Sequence, residues 1–171
     1  MTGRIAIGGA AGFWGDAALA TPQLLAGGAV DYLVYDYLAE ITLSILARAR
    51  AADDSKGYAT DFVTAAMAPN LEAIARQRVR VIANAGGVNP RACAEALRAE
   101  IARQGLELRV AVVLGDDLTD RAASLHEAGV TEMFSGDAFP APESVASINA
   151  YLGAFPIAAA LDAGADIVIT G

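Results

Sequence analysis

Apolar and polar positions follow one another along this chain in two distinct rhythms. Short, mainly apolar runs occur at residues 5–7, 31–35, 79–83, 108–114 and 166–170, each ending in or leading into glycine, asparagine, aspartate or threonine. Runs of that length with that punctuation predict strands that end in loops. A further run, 130–134, is read as a short additional strand. Between the runs, apolar residues recur at helical spacing. Leu38, Ile41, Ile45, Leu46 and Ala49 share one face and predict a helix. Cys93, Ala94, Leu97 and Ile101 do the same behind Asn89-Pro90, where asparagine caps and proline takes the first helical position, and Gly105 ends that helix. Further helices are expected over 17–26, restarting at Thr21-Pro22 with Thr21 as its cap, over 61–77, kinked or restarted at Pro69, over 120–128 and over 157–163. Residues 53–57 are a polar break, and 135–150 a polar loop with a small helix.

Strands written as continuous apolar runs, each followed by a helix, belong to a parallel sheet covered on both faces. Its crossovers are right-handed. The fold class expected is therefore α/β: a Rossmann-like open parallel sheet in three layers, one domain over 1–171. The chain stops at Ile169-Thr170-Gly171, directly after a buried-type strand that lacks its covering helix. That pattern predicts the N-terminal portion of a longer protein.

Composition narrows the function classes. The 171 residues are 55% hydrophobic, enough for a sizeable core, yet no apolar stretch is long enough for a membrane span and the start lacks the core of a signal peptide. A formal net charge of −8 argues against nucleic acid as a partner. One cysteine, Cys93, excludes an internal disulfide framework and fits a reducing compartment. One histidine, His126, excludes a clustered histidine metal site and any Ser–His–Asp order. Both residues are read as packing or surface positions.

The chemistry is expected where open parallel sheets bind ligands, beyond the carboxyl ends of the strands. The first end carries Gly8, Gly9, Gly12, Gly15 and Asp16, with Phe13 and Trp14 as walls of a pocket or, alternatively, covers of the core. This loop is neither G-x-G-x-x-G nor a phosphate loop with Gly-Lys-Ser/Thr; it suits an anion at a helix start or is simply a tight turn. The third end, Asn84-Ala-Gly-Gly-Val-Asn-Pro90, is the most specific string. Gly86 and Gly87 are expected to present N–H groups to a phosphate, carboxylate or thioester oxygen, with Asn84 in contact with the ligand and Asn89 as cap. Asp36 and Glu40, four apart, share a helical face if the helix begins by Tyr37. With Asp116 and Asp117 they are candidate general acids or bases, or else helix caps and solvated groups. Thr170 closes the rim.

Four strings, residues 7–16, 36–40, 83–90 and 115–117, together resemble the acyclic terpene utilisation (AtuA-like) family, and the resemblance runs from the first strand to Gly171. It implies a bacterial cytoplasmic protein of acyclic terpene or branched-acid breakdown, in which the acids are handled as coenzyme A thioesters beside a geranyl-CoA carboxylase. Family members are considerably longer than this chain. The expected activity is that of a hydratase or lyase on a branched acyl-CoA, with Asn84 and the Gly86 and Gly87 amides on the carbonyl and one of Asp36, Glu40, Asp116 or Asp117 moving the proton. Partners expected are a small anionic ligand, an acyl-CoA above all, the carboxylase, and further copies of the chain; no metal is expected. The alternatives are a non-catalytic acyl-CoA-binding or carboxylase-associated subunit and, lower, a nucleotide-dependent enzyme.

Overall fold

The computed structural model describes residues 3–171. Five strands form one sheet: β1 (Ile7–Ala11), β2 (Tyr32–Tyr35), β3 (Arg80–Ala83), β4 (Val110–Val112) and β5 (Ile167–Ile169). Every pairing is parallel and the order is β1-β2-β3-β5-β4. The helices are α1 (Ala17–Gly27), α2 (Glu40–Ala52), α3 (Leu71–Gln77), α4 (Pro90–Arg103), α5 (Ala122–Glu127) and α6 (Phe155–Asp162).

Right-handed crossovers explain the layers. Moving from β1 to β2, β3 and then β4 keeps α1, α3 and α4 on one face. The return from β4 to β5 puts α6 on the other. The larger core lies on the first face, where Leu33, Tyr35, Val81, Ala83, Ile167 and Ile169 meet Leu71, Ile74, Cys93, Leu97 and Ile101. Each such fully buried aliphatic side chain contributes roughly 1.5–3 kcal/mol. A smaller core on the second face joins Val113, Ala165 and Val168 to Ile82, Ile157 and Leu161. The sheet is thus the expected open three-layer α/β sheet, with the cover on its second face concentrated over β5 and its neighbours. Ile7, by contrast, is 66% exposed.

Several elements depart from the sequence expectation. β1 starts at Ile7, so Gly8 and Gly9 lie within the strand and not in the loop after it. Gly8 has a packing reason: a Cβ there would meet Leu24 and Leu33 side chains at 3.1–3.2 Å, so its absence lets α1 approach the sheet. α1 is continuous through Pro22. Thr21 does not cap a second helix; its hydroxyl is buried and lies 2.9 Å from the Tyr35 hydroxyl. Over 61–77 a new helix, α3, begins after Pro69, one of the two expected outcomes there, but the first part departs from expectation as a π-helical segment, Phe62–Met67. Residues 130–134 are no strand. They form a turn closed by an isolated antiparallel bridge between Thr131 and Ala138, with the Glu132 carboxylate accepting the Phe134 and Ser135 N–H groups. No helix among the described residues is long and apolar enough to cross a membrane.

Candidate functional site

The carboxyl ends of the strands meet at one rim. A Cβ at Gly171, just past β5, would stand 2.8 Å from the Gly87 carbonyl oxygen and closer still to Asp116 Oδ2. The ends of β3, β4 and β5 therefore converge, as the sheet reading requires.

The glycine loop after β3 does not do there what its sequence suggests. Ala85 to Val88 are buried. The Gly86 N–H donates to the Thr170 carbonyl (3.0 Å), Gly87 N–H to Asn84 (3.3 Å), Val88 N–H to Gly57 (2.9 Å) and Asn89 N–H to Gly86 (2.8 Å). The amides expected to cradle an anion are spent on the protein's own backbone, because the chain from 53 to 60 folds over them: Ala59 N–H also donates to Ala85. Asn89 caps α4 as expected, accepting from the Ala92 N–H, and its amide donates to the Asp54 and Lys56 carbonyls. Beside it lies a cleft of about 430 Å³ with Lys56, Tyr58 and Arg91 in its walls.

Asn84 ties two loops together. Its Oδ1 accepts the Tyr37 N–H at 2.7 Å and its Nδ2 donates to Asp36 Oδ1 at 2.7 Å. Residues 36–39 lie outside any helix, and α2 begins only at Glu40, with Ala39 extended before it. Asp36 and Glu40 therefore do not share a helical face, and both are exposed. Asn84→Ala removes both bonds and leaves the Tyr37 N–H without its acceptor. A stability loss of about 1–3 kcal/mol is expected, measured by urea denaturation, with Asn84→Asp restoring the Tyr37 bond but placing a charge beside Asp36.

The anchored Tyr37 belongs to a group the sequence reading did not single out. Its ring is buried against Phe62 and Tyr35, with centroids 5.9 and 6.2 Å away. Among the described residues its hydroxyl has no hydrogen-bond partner, and the same is true of Asp16 Oδ1 and Asp61 Oδ1. Burial, then the nearby Asp61 carboxylate, with smaller contributions that include Asp16, pushes the Tyr37 hydroxyl far above its ordinary range. Burial likewise raises the Asp61 carboxyl, against the opposing hydrogen bond from the Trp14 side chain and weaker ones from backbone N–H groups. Asp61 immediately precedes the π-helical segment, a distortion that recurs at functional sites. Asp16 precedes α1, and its Oδ2 accepts the Gly12 N–H at 2.9 Å. Trp14 packs against the core and reaches Asp61, whereas Phe13 is 64% exposed and walls nothing. Gly15 takes φ +109°, open to glycine, where the chain turns into α1.

The acids after β4 form a separate pair. Asp116 is buried and its Oδ2 accepts from the Asn149 amide at 3.0 Å. Asp117 makes a 3.6 Å ion pair with Arg50, whose guanidinium also donates to the Val88 carbonyl. Burial pushes the Asp117 carboxyl up, but hydrogen bonds from Thr119 and the Arg50 guanidinium outweigh it and hold it below the usual range. Thr170 serves the rim through its backbone, accepting from Gly86 and donating to Ala83. Cys93 is buried in the core, which pushes its thiol up to about 12, and the His126 ring lies at the surface, 3.2 Å from the Phe139 carbonyl.

Sequence reasoning therefore found the rim but missed Asp61, Arg50 and Asn149. Asp61 lies before an apolar helix, away from any strand end, and reaches the rim only because residues 53–60 fold back over the glycine loop. The one sequence signal available was its position before Phe62-Val63, where an acid at a helix start is ordinarily a solvated cap. No curated protein and no solved structure matches the chain. The model of the acyclic terpene utilisation family protein AtuA matches residues 5–171, essentially the whole described chain, and on that match the chain belongs to this family.

Proposed function

We propose that this chain works in acyclic terpene breakdown as a hydratase or lyase acting on a branched acyl thioester of coenzyme A. The observation that carries the reading is the group formed by Asp16, Tyr37 and Asp61: burial raises the Asp61 carboxyl, Tyr37 feels the charge of both acids, and Asp16 Oδ1, the Tyr37 hydroxyl and Asp61 Oδ1 are buried atoms with no hydrogen-bond partner among the described residues. A carboxyl with a raised pKa in a water-poor site is suited to proton transfer at carbon. A phenol that stays protonated is suited to donate to the carbonyl oxygen of a thioester. In water addition to an α,β-unsaturated thioester, Asp16 takes a proton from the attacking water as oxygen bonds to the β-carbon. Asp61 delivers its proton to the α-carbon, and Tyr37 holds the developing enolate oxygen. The thioester's anionic end is assigned to the cleft with Lys56 and Arg91, which the 53–61 segment links to Asp61. This moves the anion contact from the Gly86 and Gly87 amides to side chains.

The test is incubation of the protein with α,β-unsaturated branched acyl-CoA thioesters, following loss of the enoyl chromophore. Turnover is expected with branched acyclic chains and not with the free acids. Absence of turnover, combined with an unchanged melting temperature in the presence of coenzyme A, removes the reading. A second reading, a non-catalytic subunit that docks on an acyl-CoA carboxylase, draws on one observation: Met133, Phe134, Tyr151 and Phe155 are 83–105% exposed. Stable co-purification with such a carboxylase, without turnover, favours it.

A further inference from the structure

The opposite end of the sheet carries a feature that the rim chemistry does not use. At the N-terminal ends of β1, β2 and β3 lies a cleft of about 380 Å³ with Arg4, Arg78 and Arg80 in its walls, together with Ile5, Tyr32 and Asp31. Ile7, Tyr32 and Arg80 are consecutive register partners across the three strands, so Arg80 stands beside the Tyr32 ring on the sheet. Three guanidinium groups thus gather in a protein of net charge −8. None of them makes an ion pair or a side-chain hydrogen bond among the described residues. The one acid of the cleft, Asp31, uses its Oδ2 to accept the Ala6 N–H at 2.7 Å, so three cations line the cleft against a single carboxylate.

Arg78 adds an independent sign. It sits just past the end of α3 with φ +56° and ψ +34°, the left-handed position at a helix end that glycine or asparagine ordinarily fills. Keeping an arginine there goes against the local preference, and such departures concentrate where a side chain has a function. Uncompensated like charges also repel one another unless an anion lies between them.

We propose that this cleft is a binding site for an organic phosphate, distinct from the rim. Three arginines lining one cleft offer guanidinium forks that match the multiple acceptor oxygens of a phosphate better than the two of a single carboxylate. The Tyr32 ring and Ile5 offer apolar surface to the organic part. β1 is five residues long, which places the cleft roughly 15 Å from the rim along the strands, so occupancy does not require the rim site to be filled.

Titration of the full chain with inorganic phosphate, pyrophosphate, AMP and citrate, followed by amide chemical shifts, tests the assignment. Shifts at residues 3–6, 31–32 and 78–80 are expected with pyrophosphate and AMP at millimolar concentrations or below, with citrate at least about tenfold weaker. Tighter binding of AMP than of inorganic phosphate assigns the site to an organic phosphate; equal binding overturns that part of the proposal. Arg80→Gln and Arg78→Gly should each weaken pyrophosphate binding by about tenfold or more, the loss of one charge-assisted contact. Arg78→Gly also relieves the left-handed backbone, so its melting temperature should equal or exceed that of the parent, which separates lost binding from lost folding. Unchanged affinity in both variants, equal binding of citrate, or no shifts in the cleft overturns the proposal.

Discussion

Gly86→Ala lowers the stability of the fold by about 3 kcal/mol, a drop in melting temperature of roughly 6–12 °C for a chain of this size. The new Cβ has nowhere to go. It would stand 2.6 Å from Pro90 Cβ and 2.8 Å from Pro90 Cα, and nearer still to the Thr170 carbonyl oxygen. Two of those three neighbours are backbone atoms, and the third belongs to the proline that starts α4, so no rotamer change relieves the clash. Relief requires β3 and β5 to move apart at the rim, which breaks the bond from the Gly86 N–H to Thr170. Gly9→Ala supplies the control. Gly9 lies in β1 with nothing within 4 Å of a Cβ, and the change should stay within about 0.5 kcal/mol. Both values come from urea denaturation followed by far-ultraviolet circular dichroism. Equal effects at the two positions would mean that the loop after β3 is not the packing junction described here.

The contrast between those two glycines also explains what could be read from the sequence. The mainly apolar runs at 31–35, 79–83 and 166–170 place β2, β3 and β5 almost to the residue because short segments rich in β-branched, aliphatic and aromatic residues leave a buried strand few alternatives. The pattern places the first strand too early because Gly8 and Gly9 resemble loop residues; only the approach of Leu24 on α1 reveals Gly8 as a strand position. The run at 130–134 has strand composition, but Met133 and Phe134 are solvent-exposed and no sheet edge lies beside them. A run's own pattern carries no information about whether a neighbour is present. The same reason limited the site. Asn84, Asp116 and Thr170 were legible at the rim because strand ends are local features. That the Gly86 and Gly87 amides are already taken depends on residues 53–60 folding over them, a contact between segments some thirty residues apart. Asp61 reaches Tyr37 by the same fold.

Asp61→Asn is expected to abolish most of the proposed turnover while making the protein more stable at neutral pH. The two effects have one cause. Burial is the largest influence on this carboxyl and raises it above its ordinary value of 3.8, outweighing the Trp14 hydrogen bond. A group whose folded pKa is raised contributes its full stability below the unfolded pKa and loses it as the pH climbs through the folded one. Below about pH 3.8 both states are protonated and asparagine has little to gain. Between that value and the raised one the unfolded chain ionises first, and the parent protein loses stability relative to the variant. At higher pH the gap is constant. Melting temperatures of the two proteins should therefore converge in acid and separate, variant above parent, toward neutrality. Turnover should fall by about 10²–10⁴-fold, the usual span for removing a positioned acid or base, because the amide preserves shape and cannot deliver a proton. Tyr37→Phe is the companion change: it keeps the stacking on Tyr35 and the edge-to-face contact with Phe62 and deletes a hydroxyl that has no hydrogen-bond partner among the described residues, so activity should fall with little loss of stability. If Asp61→Asn instead melts lower than the parent at neutral pH, the carboxylate is a structural group whose charge the fold needs, and the site of proton transfer must be sought at Asp116.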